Sequence, residues 1–394
     1  MLKGKTVVLG VTGSIAAYKI ANLARMLVKQ HCEVHVLMTQ NATNFINPIT
    51  FETLTKHKCL IDTFDRNFEF SVEHVALAKA ADMVMIAPAS ANVIGKIANG
   101  IADDMLTTTV MACPCKKIVS PAMNHNMFHN PIVQDNIEKL KHYGYEIVEP
   151  AHGMLANGDM GDGRMPDEEL LFEYIVKEIA FEKDMTGKKV LVTAGATVEA
   201  IDPVRFITNH SSGKMGFALA KNAMLRGADV TLVMGKCDSE PPVFVNTVKV
   251  QSAKDMYDAV IERADSMDII VKAAAVADYR PKNVSSEKVK KQDGNMSIEL
   301  ERTDDILKTL GERKNSQFIC GFSMETENML ENSRKKLEKK NCDMIVANNL
   351  KQDGAGFGGN TNIVTLITKD DEVQLEKMTK DEVAEKIFDF ILSR

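Results

Sequence analysis

The amino-acid sequence predicts an α/β fold built from two parallel-sheet domains, and three observations carry that expectation. A β-branched apolar run, Thr6–Val11, passes through a Gly/Ser turn into a helical pattern and then a second apolar run. The same strand–turn–helix–strand plan restarts near residue 188. At 394 residues the chain is also long enough to bury two or three separate cores.

The elements follow in order. Ile20, Leu23, Ala24, Leu27 and Val28 fall at the spacing of an amphipathic helix, with Ser14 as its candidate N-cap. Glu33–Met38 reads as the next strand, which completes a βαβ unit and implies parallel pairing with helices on both faces. Met83–Ala87 and Lys117–Ser120 read as further buried strands, each ending in a proline loop at Pro88 or Pro121. In the second half Lys189–Thr193 is a strand, Ala194–Ala196 a turn, Met215–Leu225 a helix and Ala228–Met234 a strand. Two Rossmann-like domains are therefore expected, over 1–187 and 188–394, joined by the polar stretch Glu182–Lys188.

Composition excludes several classes. Hydrophobic residues at 45% and charged residues at 26% suit a globular chain rather than a disordered one. A net charge of −6 gives no bulk attraction to nucleic acid or to an anionic membrane, so neither is an expected partner. No apolar run reaches the roughly 18 residues of a membrane span. Seven scattered cysteines with no C-x-x-C pair read as reduced thiols, and the expected location is the cytoplasm.

Candidate ligand loops cluster where strands end. Gly10-Val-Thr-Gly13-Ser14 opens a helix, where free N–H groups and the dipole favour a phosphate. Pro88-Ala-Ser90-Ala-Asn92 and Pro121-Ala-Met-Asn124 leave two further strands, the place where open α/β sheets bind ligands. In the second half Ser211, Ser212 and Gly213 precede a helix as another anion cradle, without the spacing of a Walker loop. Lys336 and Lys340, one helical turn apart, point the same way. A dinucleotide-dependent oxidoreductase would want a full G-x-G-x-x-G and an acid after the second strand, where Met38-Thr39 and Met234-Gly235 stand.

Taken together, Gly13–Lys19, Pro88–Asn92, Pro121–Asn124 and the glycine-rich Gly153–Met165 resemble the homo-oligomeric flavin-containing cysteine decarboxylases, in particular phosphopantothenoylcysteine decarboxylase. Asn209–Gly216, Ala273–Arg280 and Lys336-Leu-x-x-Lys340 running into Asp343–Asn348 resemble phosphopantothenate–cysteine ligase. The whole chain is thus similar to the bacterial bifunctional enzymes of coenzyme A biosynthesis. That resemblance implies ligation of cysteine to 4'-phosphopantothenate through an acyl-cytidylate made from CTP, with Mg2+ on the triphosphate. It also implies FMN-dependent decarboxylation of the adduct to 4'-phosphopantetheine, through an enethiol that is finally reduced. The implied assembly is a homo-oligomer of trimeric first domains and dimeric second domains, a dodecamer.

The resemblance also assigns residues. Gly13, Ser14, Thr39, Ser90 and Asn92 would contact FMN; His74 would handle protons and Asn124 would orient the substrate carboxylate. Ala273, Ala274, Ala275, Asp278, Lys288, Phe322, Lys336 and Lys340 would bind CTP, with Thr303, Asp304, Asp305 and Ile306 lining the nucleotide pocket. Asn209 would stabilise the acyl-cytidylate and Lys288 would assist attack by the cysteine amine, while no protein cage for Mg2+ can be picked out. One departure stands out. Asn157 occupies the place of the family's cysteine, the acid for the final reduction, and an amide cannot serve as an acid near neutral pH. The decarboxylase half is accordingly expected either to stall before that reduction or to act only as a scaffold beside an active ligase.

Overall fold

The computed structural model describes residues 1–64, 73–155, 158–290, 296–325, 327–349 and 359–394. It divides into two units, Met1–Phe181 and Glu182–Arg394.

The first unit runs β1 (Thr6–Val11), α1 (Lys19–Lys29), β2 (Glu33–Met38), α2 (Pro48–Thr55), α3 (Glu73–Ala80), β3 (Met83–Ala89), α4 (Ala91–Ala98), α5 (Met105–Ala112) and β4 (Lys116–Pro121). It continues with α6 (His125–Phe128), α7 (Pro131–His142), β5 (Glu146–Ile147), the ribbon strands β6 (Ala151–Met154) and β7 (Met160–Arg164), and α8 (Glu168–Ile179). Its sheet has the order β2-β1-β3-β4-β5 and every pairing in it is parallel. Continuous apolar strands such as β3, buried at all seven positions, are what a sheet covered on both faces requires. The predicted helix stripe does bury Ile20, Leu23, Ala24 and Leu27. On the other face Val93, Ile94, Leu106, Val110 and Ile137 pack against Val8, Val84 and Ile86.

The second unit runs β8 (Lys189–Ala194), β9 (Val198–Ala200), β10 (Phe206–Thr208), α9 (Lys214–Leu225), β11 (Asp229–Met234), β12 (Asn246–Lys249), α10 (Ala253–Ala264) and β13 (Ile269–Lys272). After these come β14 (Tyr279–Pro281), β15 (Leu300–Arg302), α11 (Ile306–Arg313), β16 (Phe318–Glu325), α12 (Met329–Lys339) and β17 (Met344–Asn349). The chain closes with β18 (Thr361–Asn362), β19 (Val364–Ile367), β20 (Glu372–Gln374), β21 (Met378–Thr379) and α13 (Lys380–Leu392). The main sheet has the order β12-β11-β8-β13-β16-β17-β19-β20. Its first six strands are parallel, and β19 and β20 add an antiparallel edge that the sequence reading did not include. A hairpin needs only a short turn, so it carries no βαβ signature to read.

Both sheets reverse their winding once, between β1 and β3 in the first and between β8 and β13 in the second. Doubly wound sheets form their ligand crevice at that reversal, outside the carboxyl ends of the strands.

Candidate functional site

In the first unit a cavity of about 570 Å³ opens at that reversal. Its lining comes from the turn after β1 (Gly13, Ser14), the start of α4 (Ser90, Ala91), the end of β4 (Ala122, Met123, Asn124) and the β6–β7 ribbon (Met154, Gly163, Arg164). Most of these walls are apolar, and the polar groups are few and fixed. Ser90 caps α4, and its own N–H donates to Thr12 Oγ1 at 2.9 Å. Asn124 Oδ1 accepts the Asn126 N–H at 2.9 Å as the cap of α6, so its amide NH2 is the group left to meet a ligand. Gly163 has φ +122, and a Cβ there would lie 2.3 Å from the Met123 carbonyl oxygen, so only glycine fits this wall.

Two cations border the cavity. Lys19 Nζ and Arg164 Nη2 both reach Asp167 Oδ1, at 2.8 and 3.2 Å, and the Lys19 contact above all holds that carboxyl below the usual range. Both cations fall within quoted motifs, Gly13–Lys19 and Gly153–Met165, but neither is assigned a role there, because a lysine at a helix start and an arginine in a glycine ribbon read as solvated. Thr39, predicted to contact the cofactor, lies buried just past β2 and outside the cavity lining, and its Oγ1 has no hydrogen-bond partner among the described residues. A buried hydroxyl without a partner costs about 1–3 kcal/mol, a debt that a ligand oxygen or nitrogen would remove.

Not every predicted residue of this half reaches the cavity. Asn92 is exposed on α4 and is absent from the lining, where Ala91 stands instead. His74 sits half-buried on α3, also outside the lining. Asn157 lies outside the described residues.

The second unit carries a pocket of about 360 Å³ beyond the ends of β13 and β16. It is charged throughout: Lys272, Arg302, Lys336 and Lys340 face it together with Asp278, Asp304 and Asp305. Burial, and then the neighbouring Lys336 ammonium, press the Lys272 ammonium down to about 8. Burial also lowers Lys336, whose Nζ donates to the Phe322 carbonyl at 2.8 Å. Burial alone would raise Asp305, but the Lys340 ammonium bonded to its Oδ2 and the Lys308 N–H outweigh it and hold the carboxyl below its ordinary value. Crowded, desolvated ammoniums of this kind are stabilised by a polyanion, so the geometry suits a polyphosphate.

None of the remaining predicted residues, Ala273–Ala275, Phe322, Asn209, Lys288 and Ser211–Gly213, belongs to the lining of this pocket. Ala274 N–H donates to Thr193 Oγ1 at 3.1 Å, and Ala275 carbonyl accepts Asn209 Nδ2 at 3.1 Å, which sets Asn209 beside the Ala273–Ala275 loop. Ser211, Ser212 and Gly213 lead into α9 and are not part of the pocket lining. Gly213 has φ +80, and a Cβ would meet Cys237 Sγ at 2.4 Å. Lys288 is exposed and outside the lining. Its neighbour Val289 is anchored, since its N–H donates to Asp202 Oδ2 at 3.2 Å and its carbonyl accepts Arg205 Nη2 at 2.9 Å. Lys272 was missed by motif reading, although a lysine ending the apolar run Ile269-Ile-Val-Lys272 is a usable signal.

Comparison with known proteins bears on both halves. The flavoprotein family matches residues 1–180, and the family described as the DNA/pantothenate metabolism flavoprotein C-terminal domain matches residues 185–394. The coenzyme A biosynthesis bifunctional protein CoaBC of Bacillus subtilis is 48% identical over 373 residues, covering 94% of this chain and 92% of its own. The chain belongs to that family. The corresponding protein of Vibrio cholerae is 43% identical over 393 residues, 99% of this chain and 98% of its own. A relative named cysteine/cysteine sulfinic acid decarboxylase, from an unknown prokaryotic organism, is 43% identical over 355 residues, 88% of this chain and 99% of its own. As a member of this bifunctional family the chain is an enzyme of coenzyme A biosynthesis with a flavoprotein decarboxylase half and a ligase half. No helix among the described residues is long and apolar enough to cross a membrane.

Proposed function

We propose that the second unit joins cysteine to 4'-phosphopantothenate at the expense of CTP, and that the first unit, holding FMN, removes the carboxyl group of the adduct's cysteine moiety. The observation that carries the reading is the charged pocket after β13 and β16, with Lys272, Lys336, Lys340 and Arg302 gathered around a space for a triphosphate. The pantothenate carboxylate displaces pyrophosphate from CTP, and the cysteine amine then displaces CMP. In the first step Lys336 and Lys272 neutralise charge developing on the departing pyrophosphate. Mg2+ takes hard oxygen ligands, and Asp278, Asp304 and Asp305 are the carboxylates that the pocket offers beside the phosphates and water. Asn209, fixed by Ala275, presents its amide to the acyl-cytidylate, and Lys288 assists attack by the amine.

In the first unit the apolar cavity, the turn at Gly13 and Ser14, the Ser90 cap and the unpartnered Thr39 hydroxyl fit a flavin. Bound there, FMN supplies the two-electron chemistry that makes carboxylate loss possible. Asn124 holds the substrate carboxylate through its free amide N–H groups. His74 handles the proton, and a trimeric arrangement of first domains carries it to the cavity of a neighbouring subunit. The dodecamer follows if second domains pair two by two, and the cytoplasm is where such an enzyme meets its substrates. The Asn157 amide is too weak an acid to give up a proton near neutral pH, so the enethiol formed on carboxylate loss is not reduced as it would be with a cysteine there. The other course, a decarboxylase half that serves only as a scaffold, gives no CO2 at all. Mass analysis of the product from 4'-phosphopantothenoylcysteine distinguishes these. The proposal expects one equivalent of CO2 and of oxidised enethiol per flavin, the two electrons staying on the flavin until an external oxidant such as oxygen takes them, and 4'-phosphopantetheine only after Asn157→Cys; fully reduced product from the native chain overturns it.

A further inference from the structure

Three possible metal ligands converge on the first unit's sheet, away from the carboxyl ends of the strands where the flavin cavity lies. Glu33 and His35 are two residues apart on β2, so the alternation of a strand puts both on one face. His57 comes from the segment after α2, which turns back at Lys56 with φ 65. Leu60 then pairs with Leu37 in a parallel bridge. Its N–H donates to the Val36 carbonyl at 3.0 Å, and its carbonyl accepts the Met38 N–H at 2.9 Å. That pairing lays residues 57–60 along the outer edge of β2. It brings His57 Nε2 to 3.1 Å and His35 Nε2 to 3.5 Å from the same oxygen, Glu33 Oε1. The two imidazole rings are 4.4 Å apart between centroids, tilted by 33°.

We infer that Glu33, His35 and His57 form a binding site for a divalent transition-metal ion, with zinc the best match to two imidazole nitrogens and one carboxylate oxygen. Bond lengths of about 2.0–2.2 Å around a tetrahedral zinc place its ligand atoms about 3.3 Å from one another. The two observed separations, 3.1 and 3.5 Å, bracket that value, and all three donor atoms lie within 4.8 Å of each other. Magnesium and calcium are disfavoured because they take oxygen ligands. An ordinary ion pair needs one histidine for one carboxylate, whereas here two rings aim the same nitrogen at one oxygen. Sheet pairing fixes the backbone under Glu33 and His35, and His57 sits three residues before the Leu60 bridge with its N–H donating to Thr55 Oγ1 at 3.2 Å, so little ordering is needed on binding, and water can fill the fourth position. The ion would clip residues 57–60 to the edge strand.

A second cluster, His125, His129 and Asp162, has donor atoms equally close, but two of its members are also engaged by a backbone N–H and by a further histidine. His125 Nδ1 accepts the Asp162 N–H at 3.1 Å, while His129 Nε2 and His152 Nδ1 engage the two carboxylate oxygens at 3.0 and 2.9 Å. It serves as the internal control.

The test uses the full-length protein without a histidine tag, stripped with a chelator. Zinc affinity is measured by competition with a chromophoric chelator, and cobalt substitution reports geometry through its visible absorption. The native chain should take up one equivalent at the site and give the intense visible bands of tetrahedral cobalt. His57→Gln and Glu33→Gln should each weaken zinc binding by at least about a hundredfold, the upper end of what loss of an outer-shell partner alone costs. His129→Gln should leave it unchanged. Circular dichroism of both Glu33 and His57 variants separates loss of a ligand from loss of fold, and if one variant unfolds the other decides. Absence of tetrahedral cobalt in the native chain, binding undiminished in the folded variants, or loss confined to His129→Gln overturns the assignment.

Discussion

The two halves place unlike chemistry at like positions. Each is a doubly wound sheet with one reversal of winding, and in each the candidate site lies beyond the carboxyl ends of the strands. In the first half the lining is largely small and apolar, with two cations already tied to Asp167. In the second it is a cluster of four cations and three carboxylates. The fold decides where a ligand binds; the few side chains set on the strand ends decide which ligand. A planar, mostly apolar ring system suits the first and a polyphosphate the second.

The comparison breaks most readily at Lys336. Lys336→Met removes a half-buried ammonium from the charged pocket. Loss of one such preorganised group costs about 3 kcal/mol, on the order of a hundredfold, in pyrophosphate release, while CO2 release from supplied adduct should not change. Loss of both activities would mean that the halves are not chemically separate. The next largest effect is expected at Gly163. An added Cβ at φ +122, 2.3 Å from the Met123 carbonyl, forces the ribbon wall to shift. With strain of about 1–3 kcal/mol, Gly163→Ala should weaken flavin retention tenfold or more, read by absorbance after gel filtration, with ligation intact.

A pH series sharpens the electrostatic side. Lys272 titrates near about 8 because burial and Lys336 disfavour its charged form. A bound polyanion favours that form, so binding takes up a proton, and affinity for CTP should fall as pH rises through about 8. Calorimetric titration across that range checks this, and Lys272→Met should flatten the slope. The smallest effect is expected at Thr39. Thr39→Val removes a buried, unpartnered hydroxyl and should leave the flavin-free protein as stable or up to about 1 kcal/mol more so. The same change should weaken flavin binding several-fold, by fluorescence titration, if that hydroxyl meets the cofactor.

The sequence was most legible where a motif and a strand end coincide. Gly13, Ser14, Ser90 and Asn124 were chosen from loops that leave strands, and they line one cavity. Asp278, Thr303–Ile306, Lys336 and Lys340 were drawn from three separate segments and line one pocket. Local pattern failed where the deciding contact is long-range. Arg164 and Lys19 meet through Asp167, and Lys272 is unusual because the fold buries it and then α12 brings Lys336 beside it. Asn92 and Ala91 are adjacent on a helix start, and only the helix's orientation turns Ala91 to the cavity.

The central claim, that each half runs its own reaction in its own strand-end pocket, is tested most directly by product analysis. The chain is supplied with 4'-phosphopantothenate, cysteine and CTP with Mg2+, and CMP, CO2 and the organic product are followed by mass spectrometry for the native, Lys336→Met and Gly163→Ala proteins. The account predicts CMP and CO2 from the native chain. Lys336→Met should form CMP about a hundredfold more slowly and release CO2 at the native rate only when the adduct is supplied, and Gly163→Ala should give CMP with the uncleaved adduct. Release of CO2 from free cysteine without CTP, or loss of CMP formation in Gly163→Ala, would contradict it.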